Sequence, residues 1–409
     1  MSTIDYKAMI YFEVSKPRII DKYKNVIPLC ENVFYATLRE NYGNIVDAKG
    51  RLIVPNPKVD VQSSNGKEFV VREFYKGYIV IDKDERDLLG RGYANIVLMG
   101  NKLYAVLVGG TGYYRIINRK NQTVSDYRFK SVKSIGTNLT VCTLDSDDTI
   151  IYENGVEIAR FNNGTIANIK GSKDTFSYKL NNSKEEYIIV DKRLNQVVPG
   201  TYTAILFSDG ERYSVEISDI GDYVIDKSGN PIKLCKDYCG VKPLGGGLFA
   251  RYNTNSLFDY SYKIVDENDN QVFQKTYGRV KPLDGELFAL GESIGVYNYK
   301  IFNRAGEQII PDIYIDVNVL GPNIYCAKPN LPAVTVINKN GERLNGFYYY
   351  YQEIYYNHNH FSITADTPEE LKEKLCSLLT EIKTNLYEIT SQIDEQVLES
   401  SEKSSLKKV

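Results

Sequence analysis

The 409-residue sequence has no tryptophan, two histidines, three methionines and six scattered cysteines. Few histidines argue against a Ser-His-Asp or Cys-His catalytic centre, and so few cysteines argue against a disulfide framework. No stretch approaches the roughly 18 apolar residues of a membrane span, and no segment reads as a signal peptide. The net charge of −2 supplies no basic field for nucleic acid or an anionic membrane. We therefore expect a cytoplasmic protein, or a virion component if a phage encodes it, that binds neither nucleic acid nor membrane.

The sequence is instead rich in aromatic residues of one kind, with 34 tyrosines and 15 phenylalanines. Together with Ile, Val and Thr these residues favour half-buried strands, which predicts an all-β fold. One phrase recurs, in which an aromatic residue precedes β-branched residues, then Asp or Asn, then a turn. Its clearest copies end at Asp82, Asn118, Asp191, Asp266 and Asn303. Looser copies end at Asp21, Asp47, Tyr152, Asp226 and Asn338. The period is roughly 36 residues, which is typical of a tandem repeat.

Turn chemistry explains the end of the phrase. Glycine follows the anchor residue by three positions in half of the copies, as at Gly50 and Gly306. Asp or Asn opening a turn with Gly at its fourth position is typical of a type I turn. Where glycine is missing, we expect Asn121, or an Asn one step later such as Asn195 or Asn270, to take its place. The recurring Asp carboxylates are accordingly interpreted as turn residues rather than ligands or catalytic groups, because Asn serves equally well.

A second phrase, an apolar–Gly–Leu–aromatic–Ala segment, follows the anchor by about 14 residues. Val280-x-x-Leu283-x-Gly285-x-Leu287-Phe288-Ala289 is one copy, and it predicts a second hairpin with a glycine turn. Each unit is therefore expected to contain two hairpins, or about four short antiparallel strands. Such a small unit cannot bury its apolar face alone and must stack on its neighbours.

These phrases resemble the WG-repeat (KWG) proteins of bacteria from about Arg18 to Ala365. The family's unit carries Trp-Gly-x-Ile-Asp, a glycine turn and an apolar–Gly–Leu–aromatic–Ala segment. No Trp-Gly pair is present here, so the resemblance is that of a diverged member. The positions of the family's tryptophan are occupied by Tyr78, Tyr114, Tyr187, Tyr262 and Tyr299. The resemblance implies an interaction surface rather than a particular reaction.

About ten four-strand units over residues 1–365 predict a propeller-like arrangement, with two smaller rings or an open superhelical array as alternatives. Closure would need a strand near Met9–Val14 to pair with one near Phe361–Ala365. Thr367-Pro368 followed by acids predicts a helix start. The helix should cover residues 366–399, and residues 400–409 form a polar tail expected to be disordered.

Two segments depart from the repeat and are the candidate interaction surfaces. The first is a tyrosine cluster that offers rigid apolar bodies with polar tips, although half of a strand's tyrosines would be expected to face a core. It comprises Tyr348, Tyr349, Tyr350, Tyr351, Tyr355 and Tyr356. The second is a heptad seam on the predicted helix, which either packs back as a cap or docks on a partner or another copy. It comprises Leu375, Leu379, Ile382, Leu386, Ile389 and Ile393.

Other chemically suggestive residues have simpler interpretations. His358 and His360 lack an apparent third ligand, and Cys235 and Cys239 have the wrong spacing for a zinc or redox motif. The acids at 145, 147 and 148 are expected in a solvated loop. The glycine runs 109–112 and 245–247 precede neither a helix nor a P-loop lysine and are expected to be turns.

We therefore assign no catalytic, cofactor-binding or metal-binding residue and expect no cofactor. The sequence predicts a non-catalytic β-repeat scaffold that binds protein, as a structural component of a larger assembly such as a phage virion or bacterial complex. The alternative is a glycan-binding module or glycosidase on a β-propeller, which would need two carboxylates converging in one pocket.

Overall fold

The structure is a computed structural model of the chain. It describes residues 12–14, 18–135, 138–162, 164–172, 174–180, 185–217, 221–232, 240–252, 261–283, 287–292, 298–329, 333–356, 359–382 and 384. The chain forms two compact units. Unit one contains Met1–Lys22 together with Asn345–Val409, and unit two is Tyr23–Leu344.

Unit two consists of antiparallel modules of three or four strands, and its described residues form nine of them. Module one contains β3 (Asn25–Cys30), β4 (Val33–Arg39) and β5 (Tyr42–Asp47). Module two contains β6 (Lys58–Ser64), β7 (Glu68–Glu73) and β8 (Gly77–Asp82). Module three contains β9 (Asn95–Gly100), β10 (Leu103–Leu107) and β11 (Tyr114–Asn118). Module four contains β12 (Phe129–Ile135), β13 (Leu139–Leu144), β14 (Thr149–Glu153) and β15 (Val156–Phe161). Module five contains β16 (Thr165–Asn168), β17 (Phe176–Lys179), β18 (Tyr187–Val190) and β19 (Gln196–Tyr202). Module six contains β20 (Ala204–Ser208), β21 (Arg212–Ile217) and β22 (Gly221–Asp226). Module seven contains β23 (Gly240–Gly245), β24 (Leu248–Tyr252) and β25 (Tyr262–Val265). Module eight contains β26 (Arg279–Pro282), β27 (Leu287–Gly291), β28 (Tyr299–Asn303) and β29 (Gln308–Tyr314). Module nine contains β30 (Asp316–Gly321), β31 (Ile324–Lys328) and β32 (Thr335–Asn338).

Each module follows the predicted double-hairpin pattern, which confirms an all-β repeat fold. Where a full fourth strand is missing, isolated bridges such as Val46 to Leu52 mark its place. Short pairings also join modules one to two and three to four, so by hydrogen bonds these pairs form six-stranded and seven-stranded sheets.

The modules pack face to face, and alternation along their middle strands explains why. Phe69 and Val71 on β7 belong to a core shared with module one, whereas Val70 between them belongs to a core shared with module three. Successive side chains of a strand point to opposite faces, so a middle strand buried on both faces must be almost continuously apolar. Each module therefore uses its neighbours on both sides to bury its side chains.

The two ends of unit two meet. Strand β3 of the first module contacts β30 of the last, and the Val334 N–H donates to the Tyr23 carbonyl at 2.9 Å. The first and last modules are therefore in contact, as expected of a propeller-like arrangement rather than an open array.

The anchor turns confirm the predicted geometry but correct one detail. At eight of the ten anchors, the fourth-position N–H donates to the anchor carbonyl, as from Gly50 to Asp47 at 2.9 Å. Where glycine is missing, however, Leu194 and Asp269 adopt the left-handed conformation, with φ of 67° and 66°. Asn195 and Asn270, predicted for that role, instead donate their side-chain amides to the anchor carboxylates.

Unit one contains a sheet made from both ends of the chain. Its central strand β33 (Tyr348–Tyr356) pairs on one edge with β1 (Phe12–Val14) and β2 (Arg18–Asp21) and on the other with β34 (Asn359–Ala365). The N-terminal strand therefore joins the last sheet, but its partner is β33 rather than the predicted segment at Phe361–Ala365. This follows because β34 forms a hairpin with β33 and occupies the opposite edge.

Helix α1 follows β34 directly, and its described residues are 368–382 and 384. Thr367 Oγ1 accepts the Glu370 N–H at 3.1 Å, and Glu370 Oε2 accepts the Asp366 N–H at 2.8 Å. Thr367 therefore acts as the N-cap of the helix, which agrees with the predicted start at Thr367-Pro368. The remainder of the predicted helix, up to residue 399, and the tail 400–409 lie outside the described residues. Among the residues described, no helix has the length and apolar character to cross a membrane.

Candidate functional site

The tyrosine cluster lies on β33, the central strand of the unit-one sheet. The described side chains are those of Tyr348, Tyr349 and Tyr351, and each is half-buried. Tyr348 Oη donates to Asn345 Oδ1 and Tyr351 Oη donates to Glu353 Oε1, each at 2.8 Å. These hydroxyls are used within their own unit, and an interaction role for the cluster stays a prediction. The side chains of the other three predicted residues, Tyr350, Tyr355 and Tyr356, lie outside the described part of the structure.

The helix seam is described only in its first half. Leu375 packs with Leu371 and Leu378 against Ile363 and Ala365 of β34, so this part of α1 covers one face of its own sheet. Leu371 is buried, although the heptad pattern did not include it. Leu379 is half-buried and Ile382 is buried. The remaining seam residues, Leu386, Ile389 and Ile393, lie outside the described residues.

The anchor carboxylates bind their own turns. Asp266 Oδ1 accepts the N–H groups of Asn268 and Asn270, at 2.9 and 2.8 Å. Asn338 makes the equivalent pair of contacts without a charge. Hydrogen bonds from Asn270 and its backbone hold the pKa of Asp266 below its usual range. The anchors therefore serve as turn residues, as the sequence indicates.

The remaining chemical candidates form no site in the described part of the chain, which contains no cluster of three or more potential metal-ligating side chains. Asp145, Asp147 and Asp148 have separate partners, namely Tyr113, Lys130 and Ser146. The two glycine runs occupy the predicted turns after β10 and β23. His358, the His360 side chain, Cys235 and Cys239 lie outside the described residues.

Two adjacent aromatic side chains of unit two are strongly exposed. The turn between β7 and β8, residues 73–77, carries Phe74 at 78% exposure and Tyr75 fully exposed. Their ring centroids are 6.2 Å apart. We call residues 73–77 the aromatic hairpin. The sequence shows the two adjacent aromatic residues, but neither belongs to a chemical motif and nothing in the sequence indicates their exposure.

The aromatic hairpin is held rigidly against the segment that follows β8. Tyr78 and Tyr93 exchange both backbone hydrogen bonds, at 2.8 and 2.9 Å. A Cβ on Gly92 would lie 1.9 Å from the Lys76 carbonyl oxygen, so only glycine fits this close approach. Tyr75 has φ of 70°, a conformation that a bulky residue adopts only when its surroundings enforce it.

Beside the hairpin lies an open cleft of about 450 Å³, whose lining includes Tyr75, Arg91, Tyr93 and Val108. The Arg91 guanidinium lies 4.7 Å from the Tyr93 ring centroid, and its Nε donates to Tyr93 Oη at 2.7 Å. Tyr93 Oη in turn donates to Asn121 Oδ1 at 2.9 Å. The cleft wall is thus fixed by a continuous set of hydrogen bonds and presents a cation beside the exposed aromatics.

Comparison with known proteins adds distant likenesses only. No family model matches the sequence, and no curated protein does. The solved structures similar to this chain include BamB from Moraxella catarrhalis, at 9% identity and a TM-score of 0.35, covering 80% of this chain and 98% of that one. The C-terminal WD40 domain of Sif2 is similar at 10% identity and a TM-score of 0.34, with coverage of 80% and 98%. The WD40 β-propeller domain of Doa1 is similar at 10% identity and a TM-score of 0.25, with coverage of 69% and 94%.

Proposed function

We propose that this chain is a non-catalytic β-repeat scaffold that binds a protein partner through the aromatic hairpin. The observation that carries this proposal is the exposure of Phe74 and Tyr75 on a rigid turn. Burying a large apolar side chain is worth about 1.5–3 kcal/mol, and nothing within the described residues of unit two covers these two rings. An interface that buries them gains that free energy at little entropic cost, because the turn is already ordered.

The surroundings of the hairpin indicate the chemistry of its partner. Aromatic residues and arginine are enriched at energetically dominant interface positions, and Arg91 lines the cleft next to Tyr75. Lys76 forms an exposed ion pair with Glu73 at 3.0 Å. A partner with an apolar pocket for the two rings and a carboxylate facing Arg91 would fit this surface.

The non-catalytic part of the proposal is supported by the use of the conspicuous acids. Asp47, Asp82, Asp191, Asp226 and Asp266 accept the N–H groups of their own turns. A carboxylate committed to fixed backbone donors has a lowered pKa and is poorly suited to proton transfer near neutral pH.

Photo-crosslinking from the hairpin tests the proposal. We would introduce benzoylphenylalanine at position 74 of the full chain and, as a matched control, at Leu52, which is 55% exposed and forms the isolated bridge of module one. A discrete adduct from position 74 alone, suppressed by excess unlabelled chain but not by the Phe74→Ser/Tyr75→Ser variant, is the expected result. Identical adducts from both positions, or equal suppression by wild type and variant, would contradict it.

Two finer proposals concern the assembly and the family. We propose that the scaffold is a structural component of a larger assembly such as a phage particle or bacterial complex, and that its unit is a diverged WG repeat. We also keep the C-terminal helix as a contact with a partner or a second copy, through its residues beyond the described part. Deleting residues 367–409 and measuring mass by light scattering tests this role, since unchanged oligomeric state and partner binding would remove it.

A glycan-binding function is the second candidate because one cleft concentrates charged groups. The cleft, of about 590 Å³, is lined by Asp209, Glu211, Arg212, Lys227 and Glu267 among others. However, Arg212 pairs with Glu267, and Lys227 pairs with Glu211 at 2.7 Å. Glu211 and Glu267 are therefore paired with cations, which favours the scaffold function over glycan binding. A glycan array without hits would remove the alternative.

A further inference from the structure

The cleft beside the aromatic hairpin is built by two neighbouring modules of unit two. Tyr75 belongs to the hairpin of module two, whereas Val108 and Gly109 follow β10 of module three. The Ala94 N–H donates to the Leu107 carbonyl at 3.3 Å, which ties the two sides of the cleft together. The cleft therefore lies at a junction of modules, next to the two exposed rings, and we call it the hairpin cleft.

Backbone forms much of the surface of the hairpin cleft. Three of its lining residues are glycines, at positions 77, 92 and 109. A side chain is excluded at Gly92 by the Lys76 carbonyl oxygen, whereas a Cβ on Gly109 would have no heavy atom of the described residues within 4 Å. A surface that presents peptide groups beside aromatic rings suits an extended polypeptide segment, because the N–H and C=O groups of that segment need partners when they are buried.

The charge of the hairpin cleft is of one sign. Its charged lining residues, within the described part of the chain, are Lys76 and Arg91. Lys76 is compensated by its ion pair with Glu73. Arg91 is exposed, and the hydrogen bond from its Nε to Tyr93 Oη holds the guanidinium against the Tyr93 ring. Because one of its five N–H groups makes this contact, Arg91 needs little further ordering to bind a carboxylate through the others.

We propose that the hairpin cleft binds an extended segment of the protein partner that carries an aspartate or glutamate side chain. The carboxylate pairs with Arg91, the backbone of the segment lies along the glycines, and Phe74 and Tyr75 cover its apolar residues. An acidic segment is favoured over a basic one because the lining supplies cations. The inference rests on the proposed function, since the segment belongs to the partner that the aromatic hairpin contacts.

Selection from a random peptide library displayed on phage, with the purified full chain as target, tests the inference. The selected peptides are synthesised, and their affinities for chain variants are measured by fluorescence anisotropy. Arg91→Gln removes the charge from the cleft, and its control is Arg115→Gln, an exposed arginine of β11 outside the lining. Gly109→Glu and Gly109→Lys place opposite charges at one position that has space for a side chain and no positive φ. Their control is Gly321→Glu, because Gly321 in module nine has the same properties.

We expect the selected peptides to share an aspartate or glutamate. Arg91→Gln should weaken their binding by about tenfold, which corresponds to the loss of a charge-assisted hydrogen bond. Replacing the shared acid by its amide should weaken binding to the wild type equally and binding to Arg91→Gln very little. Gly109→Glu should weaken binding severalfold more than Gly109→Lys, and Arg115→Gln and Gly321→Glu should leave it unchanged. Selected peptides without a shared acid, unchanged affinity for Arg91→Gln, or equal affinities for the two Gly109 variants would overturn the inference.

The adduct from position 74, formed in parallel, separates this inference from the proposed function. An adduct that persists in the Arg91→Gln chain, while the selected peptides lack an acid, would overturn the inference and leave the hairpin as the contact. Acidic peptides that depend on Arg91 but not on Phe74 and Tyr75, with no adduct from position 74, would instead overturn the proposed function and leave the cleft as a peptide site.

Discussion

Replacing Lys242, which lies on β23 with its Nζ 3.4 Å from the Val280 carbonyl oxygen, by methionine should stabilise unit two. Each pH unit by which a pKa is shifted corresponds to about 1.4 kcal/mol, so a pKa lowered from 10.5 to about 8 means that holding the buried charge costs about 3 kcal/mol. Methionine fills the space of the lysine stem without the ammonium. We expect the free energy of unfolding of unit two to rise by about 1–3 kcal/mol, because the substitution removes the desolvation of the ammonium and its repulsion by Lys170 and Lys281.

The effect should depend on pH in a defined direction. Below pH 8 Lys242 is charged in both folded and unfolded chains, so the full cost is present. Between pH 8 and 10.5 the folded protein releases the proton before the unfolded chain does, and the stability of the wild type rises relative to the variant. Melting curves at pH 7 and pH 10 should show Tm for Lys242→Met about 2–4 °C higher at pH 7 and a smaller difference at pH 10. A lower Tm for the variant at pH 7, or a difference that does not shrink at pH 10, would refute the reasoning.

Three further changes test the packing that positions the sites. Glu68→Gln should destabilise unit two by about 1–3 kcal/mol, measured by thermal melting, because buried Glu68 accepts a 2.6 Å bond from Arg119; an unchanged Tm would refute this. Gly92→Ala should push the Lys76 carbonyl, and the aromatic hairpin with it, away from residue 92 and abolish the position-74 adduct, and persistence of the adduct would argue against a rigid hairpin. Leu371→Ala should cost about 2–4 kcal/mol of helix packing, detected as faster proteolysis within α1, and unchanged cleavage would contradict the packing described.

The repeat was predictable from the sequence because its turns have a residue-level mechanism. Asp or Asn at the anchor accepts backbone N–H groups two and four residues later, as Asp47 does from Lys49 and Arg51. These turn residues recur at a fixed spacing and can therefore be recognised in a single sequence. It was harder to predict from the sequence which residue of the turn adopts the left-handed conformation. Leu194 does so although an Asn follows it, because the spacing from the anchor decides the conformation rather than intrinsic preference.

The sites were harder to predict because their residues come together only through the stacking of modules. Lys242 and Lys281 both follow a Val and precede Pro-Leu in the second phrase, so the sequence shows that they occupy equivalent positions of the repeat. Exposure could not be predicted for Phe74 and Tyr75, since the adjacent aromatic pair Phe34 and Tyr35 on β4 is buried.

For the tyrosine cluster and the helix seam, the sequence identified the apolar surfaces but not what covers them. Both were selected for composition, and the described part of each is used within unit one. Tyr351 donates to Glu353, and Leu375 packs on the strand that precedes α1. Aromatic density and heptad spacing identify surfaces that bury apolar area, but they do not distinguish an internal face from an external one.

The most direct test of the scaffold account is the affinity of the crosslinked partner for the Phe74→Ser/Tyr75→Ser variant, measured by calorimetry with the purified full chain. Both side chains are exposed, so the variant should melt at the same temperature as the wild type. Two residues at the centre of an interface commonly contribute about 2 kcal/mol or more each, so we predict affinity at least about 100-fold weaker. Affinity within threefold of the wild type, at unchanged Tm, would contradict the claim that the aromatic hairpin is the principal contact.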